Sequence, residues 1–419
     1  MTRDAGTGSG PLAGVRVVDV TQYIAGPGAT SVLADLGADV VKVEPLRGEA
    51  TRHLGSFGQG MFHAYNRRKR SLAVDLSTAR GRAVVAELIA DADVVVQNLR
   101  PSAMAAMGLD AAGLRERNPR LIYVSISGFG AEGPGARRAG LDIAAQAESG
   151  IMSITGEAAG DPQRVGFAVV DVATAQAAAQ AILAALYDRE RGGTAADIEL
   201  SLIETAVNIQ AANVTEYFVT GRAPVRSGNG QPGAAPAADL IRTKDGFVVL
   251  SAYTPPHWAR LCELIGRHDL VTDERLATVE ARVAHRSLLH EVLDDAFSAM
   301  TTDECVERLT GNGLVAGAVR DYDGMVGDEV VERLGVVGRF DRAPTGTPGR
   351  YIRLPYRMST LEPTLGGVPA PAVGEHTRSL LTELGYEPAD IVTLVDEGVV
   401  ADHPTAGTAG TRIANGGVV

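Results

Sequence analysis

The sequence predicts an α/β protein: a doubly wound, mostly parallel sheet in the larger part and a smaller α+β domain beside it. Three observations predict this. The runs VRVVDV (15–20), DVVKVE (39–44), DVVVQN (93–98) and LIYVSIS (121–127) are almost continuously apolar, as strands covered on both faces are. Segments with helical spacing separate them, the alternation that builds βαβ units. After about residue 222 the pattern gives way to a Gly/Pro/Ala stretch and then to a hairpin and helices.

In order, 15–20 is the first strand and PGATSVLADLGA (27–38) a helix with Pro27 in its first turn. A strand follows at 39–44 and another at SLAVDL (71–76). ARGRAVVAELIADA (79–92) is a helix, and strands follow at 93–98 and 121–127. The segment 172–187 is apolar almost all round, which predicts a deeply buried helix. RAPVRSGNGQPGAAPAA reads as a linker and DLIRTKDGFVVLSA as a hairpin turning at Lys244, Asp245 and Gly246. Helices are expected over about 256–312, a returning strand at YIRLPYRMS (351–359), and two helices in GEHTRSLLTELGYEPADIVTLVDEGVV. The large domain is expected to combine 1–200 with 330–400, with a linker helix over 201–224, a small domain over 225–325 and a disordered tail from 404 to 419.

With 419 residues, 45% of them hydrophobic, the chain can bury a large core. Its formal net charge of −12 argues against a general nucleic-acid partner. The only cysteines, Cys262 and Cys305, have no metal-ligand spacing, so no metal is expected and a cytoplasmic, reducing location fits. The N-terminus lacks a charged-then-apolar leader and no apolar run reaches membrane-spanning length, so no membrane partner is expected.

Four motifs invite chemistry. Gly26-x-Gly28 follows the first strand and Glu44 ends the second, a partial dinucleotide fingerprint with Ser31 in place of its third glycine. The cations Arg67 to Arg70 read either as a solvated loop or as a phosphate clamp. SGFGAEGPGARRAGLD (127–142) reads either as a flexible loop or as a lid. Asp171, in GFAVVDVATAQAAAQ, stands between a strand-like and a helix-like run. Its bland role is the helix N-cap; its sharper one is a reactive carboxylate among small apolar neighbours. No Gly-x-Ser-x-Gly, His-Glu-x-x-His or cysteine cluster is present, which leaves carboxylate or cofactor chemistry.

Several stretches in fixed order resemble the family III CoA-transferases, over about residues 11–400: PLAGVRVVDVTQYIAGPGATSVLADLGADVVKVE, NRRKRSLAVDL, ADVVVQNLRPSAMAAMGL, NPRLIYVSISGFGAEGP, AGLDIAAQAESGIMSITG, the Asp171 stretch and GEHTRSLLTELG. The resemblance implies a Rossmann-like large domain, an interlocked homodimer, no permanently bound cofactor, and coenzyme A or an acyl-CoA with a carboxylic acid as substrates. It places the nucleophile at Asp171. It implies a CoA site from Ile24, Ala25, Arg47, Val74, Asn98, Arg100, Arg137, Arg138 and Asp142, with Gly228 and Gly230 on a loop that supplies oxyanion donors. Two arginines frequent in the family are absent: Pro45 stands for one, with Arg47 nearby, and Ala106 for the other, with Arg100 upstream.

The racemase branch of that family carries a histidine where this chain has Leu141, and racemisation needs an acid and a base on opposite faces of a carbon. CoA transfer needs neither. Carboxylates and thiolates attack as anions, so a lone aspartate, kept ionised by its helix N-terminus and kept dry, is enough. The expected activity is therefore CoA transfer through an aspartyl anhydride and an aspartyl-CoA thioester. The competing readings are an acyl-CoA racemase or epimerase, a nicotinamide-dependent dehydrogenase and a non-catalytic CoA-binding protein.

Overall fold

Seven strands make the main sheet, in the spatial order Val400–Ala401, Arg70–Val74, Asp39–Glu44, Arg16–Val20, Val94–Gln97, Ile122–Ser127 and Asp197–Ser201. The computed structural model describes residues 10–230, 238–252, 254–340, 349–359, 361 and 367–403. It falls into two compact units: the described residues of Met1–Ser149, Gly166–Ala211 and Gly335–Val419, and those of Gly150–Val165 and Ala212–Leu334. The sequence grouping of 1–200 with 330–400 differs from this at its edges and in one internal stretch, with 201–211 in the first unit and 330–334 in the second. Residues 150–165 go with the second unit, and its next stretch begins at Ala212.

The first unit begins with β1 (Arg16–Val20), α1 (Ala25–Asp35) and β2 (Asp39–Glu44). α1 is buried along its whole length. It stops at Gly37, whose φ of 101° is the left-handed turn that glycine takes without strain. α2 (Gly55–Tyr65), which no sequence signal announced, leads to β3 (Arg70–Val74). α3 (Ala79–Ala90) starts at an N-cap, the Thr78 hydroxyl accepting from Gly81 N at 3.0 Å. β4 (Val94–Gln97), α4 (Pro101–Ala106), α5 (Ala111–Arg115), β5 (Ile122–Ser127) and α6 (Asp142–Glu148) follow.

α7 (Ile151–Ile154) lies in the second unit, and the chain returns in α8 (Val169–Glu190) and β6 (Asp197–Ser201). All ladders among β1 to β6 are parallel. Their C-terminal ends therefore share one edge, and the order turns back on either side of β1, where such sheets bind ligands.

Where a single linker helix was expected there are two, α9 (Leu202–Asn208) and α10 (Ala211–Thr220), broken where Gln210 turns its amide onto the carbonyls of Ala206 and Ser149. The second unit carries β7 (Ala238–Arg242), β8 (Phe247–Ser251), α11 (Pro255–Leu264), α12 (Val279–Ala284), α13 (Arg286–Phe297), α14 (Thr302–Thr310) and β9 (Val315–Ala318). α15 (Tyr322–Val326) and α16 (Glu329–Leu334) complete it. The hairpin forms as expected, and β9 extends it to three antiparallel strands. Trp258, Leu261, Phe297 and Leu293 fill the core beneath them. The first unit resumes with β10 (Val337–Arg339) and β11 (Arg350–Ile352), paired antiparallel, so only the start of 351–359 is strand. α17 (Thr377–Glu383), α18 (Pro388–Asp396) and β12 (Val400–Ala401) close it.

α8 corrects two expectations. By length and composition Val169–Glu190 is apolar enough to cross a membrane. It packs instead on α1, α6, α9, β5 and β6. It is also buried on one face only, along Val170, Thr174, Ala178, Ile182 and Leu186, while Gln176, Gln180, Ala184 and Tyr187 are exposed. Alanine is small enough for a close helix contact but says nothing about which face is covered. The expected tail, 404–419, and part of the expected linker, 231–237, lie outside the described residues.

Candidate active site

α8 opens with Val169, Val170 and Asp171, and its N-cap position is Ala168, which has no side chain able to cap. Asp171 is therefore in the first turn and is not the cap that the sequence suggested. A distant carboxylate takes that task. Oδ1 of Asp142, at the start of α6, accepts the N–H of Val170 at 2.8 Å and that of Asp171 at 3.1 Å. Its Oδ2 accepts from the Gln146 amide one turn further on. Asp142 is 8% exposed, so both of its oxygens are spent inside the protein.

The same arrangement overturns the idea that the helix N-terminus keeps Asp171 ionised. Burial pushes the Asp171 carboxyl up to about 7, and the nearby Asp142 charge pushes in the same direction. At neutral pH the group is poised between acid and carboxylate, the range in which reactive groups are held. Val170 is fully buried and Val172 half-buried, so the neighbours of Asp171 along α8 are apolar.

α1 passes close to this helix. A Cβ built on Gly28 would lie 2.8 Å from the Cβ of Ala175, one turn along α8 from Asp171. Gly26 likewise packs on the Thr21 side chain. The two glycines are thus required by close packing. Glu44 takes a bidentate pair from Arg52 at 2.8 Å and a bond from Ser71 Oγ at 2.6 Å, and is 2% exposed. None of this leaves a ribose-binding carboxylate or an open pyrophosphate turn, and the dinucleotide reading loses its residues.

The cationic run fits neither of its two readings. Lys69 is fully buried against Asp19 at 2.8 Å and also donates to Pro27 O and Asn66 Oδ1. Arg67 pairs with Asp35, Arg68 donates to Ala34 O, and Arg70 bridges Asp39 and Glu383. Burial pulls Lys69 down to about 8 although Asp19 opposes the shift. Burial raises Asp19, yet Lys69 and Lys42 outweigh it and hold the carboxyl below the usual range. The run is an internal ion-pair set between β3 and its neighbours.

Of the residues assigned to a CoA site by resemblance, Asp142 is engaged instead with Val170, Asp171 and Gln146, and the others sit at or after the C-terminal ends of the parallel strands. Ile24 and Ala25 start α1 and are buried, Arg47 follows β2 and is exposed, and Val74 ends β3 at 1% exposure. Asn98 follows β4 and locks two connections together: it accepts Gln22 N at 2.9 Å and donates to Gln22 O at 2.7 Å. Arg100 is the exposed N-cap residue of α4. After β5, Arg137 is exposed, while Arg138 lies 4.0 Å over the Phe129 ring and pairs with Glu148 at 2.9 Å, which ties down the glycine-rich connection.

Gly228 and Gly230 belong to the second unit. Gly228, with a φ of 60°, donates its N–H to Gly156 O at 3.0 Å, and Gly230 donates its own to Ser227 O at 3.2 Å, so neither is the free oxyanion donor that was expected. Arg226 fixes their loop through the carbonyls of Ser153, Glu157 and Gly160. A cavity of about 450 Å³ opens at the ends of β4, β5 and β6, but Asp110, Glu132, Glu199 and Glu204 line it and none of the expected CoA residues does. Among the described residues no group of His, Cys, Asp or Glu is placed to hold a metal ion.

The family model for CoA-transferase family III matches residues 12–377. The chain is 37% identical over 386 residues to the succinate–glutarate CoA-transferase of Agrobacterium fabrum, covering 89% of this chain and 96% of that one. It is 36% identical over 393 residues to the probable fatty acyl-CoA transferase Rv3272 of Mycobacterium tuberculosis, covering 88% and 97%. The crystal structure of a CAIB/BAIF family protein from Brucella suis superposes with a TM-score of 0.82 at 34% identity, over 90% of this chain and all of that one. A doubly wound parallel sheet that carries the CoA-transferase pattern over most of the chain is thus the framework of a CoA-handling enzyme. The chain belongs to CoA-transferase family III, and its activity is CoA transfer.

Proposed function

We propose that Asp171 is the nucleophile of a CoA-transferase that moves CoA from an acyl-CoA to a carboxylic acid. The observation that carries this reading is a half-buried carboxyl in the first turn of α8, pushed up to about 7, with apolar neighbours along the helix and no histidine partner among the described residues. The Asp171 carboxylate attacks the thioester carbonyl, the C–S bond breaks and CoA thiolate leaves, giving a mixed anhydride. The thiolate attacks the aspartyl carbonyl, releasing the donor acid as its carboxylate and leaving an aspartyl-CoA thioester. The acceptor carboxylate then displaces the thiolate, which attacks the acceptor's acyl carbonyl and frees Asp171. Every nucleophile is an anion, so no general base is required. Water must be kept out because it would hydrolyse the anhydride.

Succinyl and glutaryl groups are the first substrates to test, since the Agrobacterium relative is named for succinate and glutarate. A long-chain acyl-CoA is the second arm, after the mycobacterial one. The CoA site of this reading is the set of turns at Ile24, Ala25, Arg47, Val74, Asn98, Arg100, Arg137 and Arg138, supported by their place at one sheet edge. Leu141, 59% exposed, stands where a racemase would carry its histidine, so the racemase reading lacks its second group. A homodimer is part of the reading, supported by the family resemblance and by the exposure of Phe218 and Val219 on α10.

The test is trapping. The enzyme is incubated with succinyl-CoA, quenched with hydroxylamine or borohydride, and the modified peptide is mapped. Modification at Asp171 that vanishes in Asp171→Ala supports the reading. Modification elsewhere, or none with any of the donors, sinks it.

A further inference from the structure

α2 ends at Tyr65, and this tyrosine lies beside the contact that holds α8 against α1. A Cβ on Gly28 would meet Ala175 at 2.8 Å and the Cδ1 and Cε1 atoms of Tyr65 at 3.5 and 3.7 Å. The ring edge therefore runs along the α1–α8 contact. Ala175 is four residues beyond Asp171, so the two side chains lie on one face of α8, one above the other. Tyr65 is held there from behind. Asn66, the next residue, is fully buried and fixed by the Phe62 carbonyl at 3.1 Å and by Lys69 Nζ at 2.9 Å. The Tyr65 hydroxyl forms no hydrogen bond among the described residues, so its donor is available.

We propose that the Tyr65 hydroxyl is the side-chain donor for the Asp171 carboxyl, holding one of its oxygens as the carboxylate attacks and the acyl oxygen of the aspartyl intermediates afterwards. The inference rests on the reading of Asp171 as nucleophile. No proton is transferred. The carboxylate attacks and the thiolate leaves as anions, while the phenol only donates, in the manner of an oxyanion donor. Burial and the Asp171 charge both push the Tyr65 phenol up, so it keeps its proton throughout the working range.

The titratable groups that act on Asp171 are few. Asp142 acts from α6, whose other carboxylate, Glu148, pairs with Arg138, and Tyr65 of α2 in turn feels the Asp171 charge. α1 brings only Asp35, which is paired with Arg67, and α9 only Glu204, which accepts from Ser201 Oγ at 2.7 Å. β5 brings Tyr123, whose hydroxyl donates to Leu109 O, and β6 brings Asp197, paired with Arg115, and Glu199. On α8 itself Asp188, Arg189 and Glu190 lie at the far end.

The experiment follows single-turnover acylation by succinyl-CoA across pH 5 to 9 in the wild type and in Tyr65→Phe, with trapping and thermal unfolding run beside it. Removing the hydroxyl is expected to slow acylation roughly ten- to hundredfold. It leaves the KM for the donor within about twofold and moves the acid limb up by roughly half a pH unit or more, because a hydrogen bond to the charged form favours ionisation. Tyr65→Gln, which keeps an N–H donor without the ring, retains most of the wild-type limb. An unchanged rate and limb in folded Tyr65→Phe, or a change confined to KM, overturns the proposal. Trapping at Asp171 in the wild type alongside such a result leaves the nucleophile standing, whereas failure to trap at Asp171 in the wild type removes the nucleophile itself.

Discussion

The Asp142 carboxylate accepts the backbone N–H of Asp171 at 3.1 Å while its charge raises the carboxyl of that same residue. One side chain thus organises the start of α8 and tunes the group that this start carries.

The two effects separate by mutation. Asp142→Asn keeps an oxygen to accept from Val170 and Asp171 but removes the charge, so the acid limb of acylation moves to lower pH with stability nearly unchanged. Asp142→Ala loses both and destabilises the protein by about 1–2 kcal/mol, the usual cost of a lost helix cap. Denaturant melts with the pH profile of each variant check this. Equal acid limbs in Asp142→Asn and wild type would show that the charge does not reach Asp171.

A carboxyl raised in the folded state stabilises the fold while it is protonated and loses that contribution as pH rises. For Asp171 the window runs from its ordinary value near 4, where the contribution is full, through about 7, above which it is gone. Asp171→Asn is therefore expected to be more stable than wild type at pH 8, by roughly 1–3 kcal/mol, and to match it near pH 4. Urea midpoints at the two pH values decide it. A larger difference at pH 4 than at pH 8 would contradict the sign.

Gly28 tests the helix contact. Gly28→Ala puts a methyl 2.8 Å from Ala175 Cβ, which forces α1 and α8 apart and costs about 1–3 kcal/mol. Adding Ala175→Gly restores part of the loss, and a double-mutant cycle reads the coupling.

The buried pair of Lys69 and Asp19 behaves in another way. Lys69→Met strands an ionised carboxylate at 0% exposure and is expected to cost about 3–5 kcal/mol. Arg70→Gln, whose parent pairs with Asp39 and Glu383, leaves CoA affinity within about twofold, as measured by calorimetry.

Much of the large sheet was legible because strands covered on both faces write themselves as Val/Ile runs, and β1, β2, β4 and β5 fall within a residue of their expected limits. α2 was not legible, since GSFGQGMFHAY contains three glycines that argue against a helix, and it buries little beyond Gly58, Met61 and Phe62. Tyr65 was missed with it. Asp171 was singled out by its place between two apolar runs, but its cap was misassigned because the true acceptor lies 29 residues earlier, beyond the reach of local spacing. The Arg67–Arg70 run was unreadable for the same reason: a cation's partner decides whether it is solvated or buried, and Asp19, Asp35 and Glu383 are far away in sequence.

β12 is two residues long and antiparallel, with Val400 opposite Val74 and Ala401 opposite Ala73. An exposed β3, apolar and straight, would be a template on which another chain could add a strand, and this short cover occupies the adhesive edge. The opposite edge, β6, protects itself with Asp197 and Glu199. Removing residues 399–403 is therefore a solubility lesion more than a catalytic one, and its first symptom is concentration-dependent aggregation.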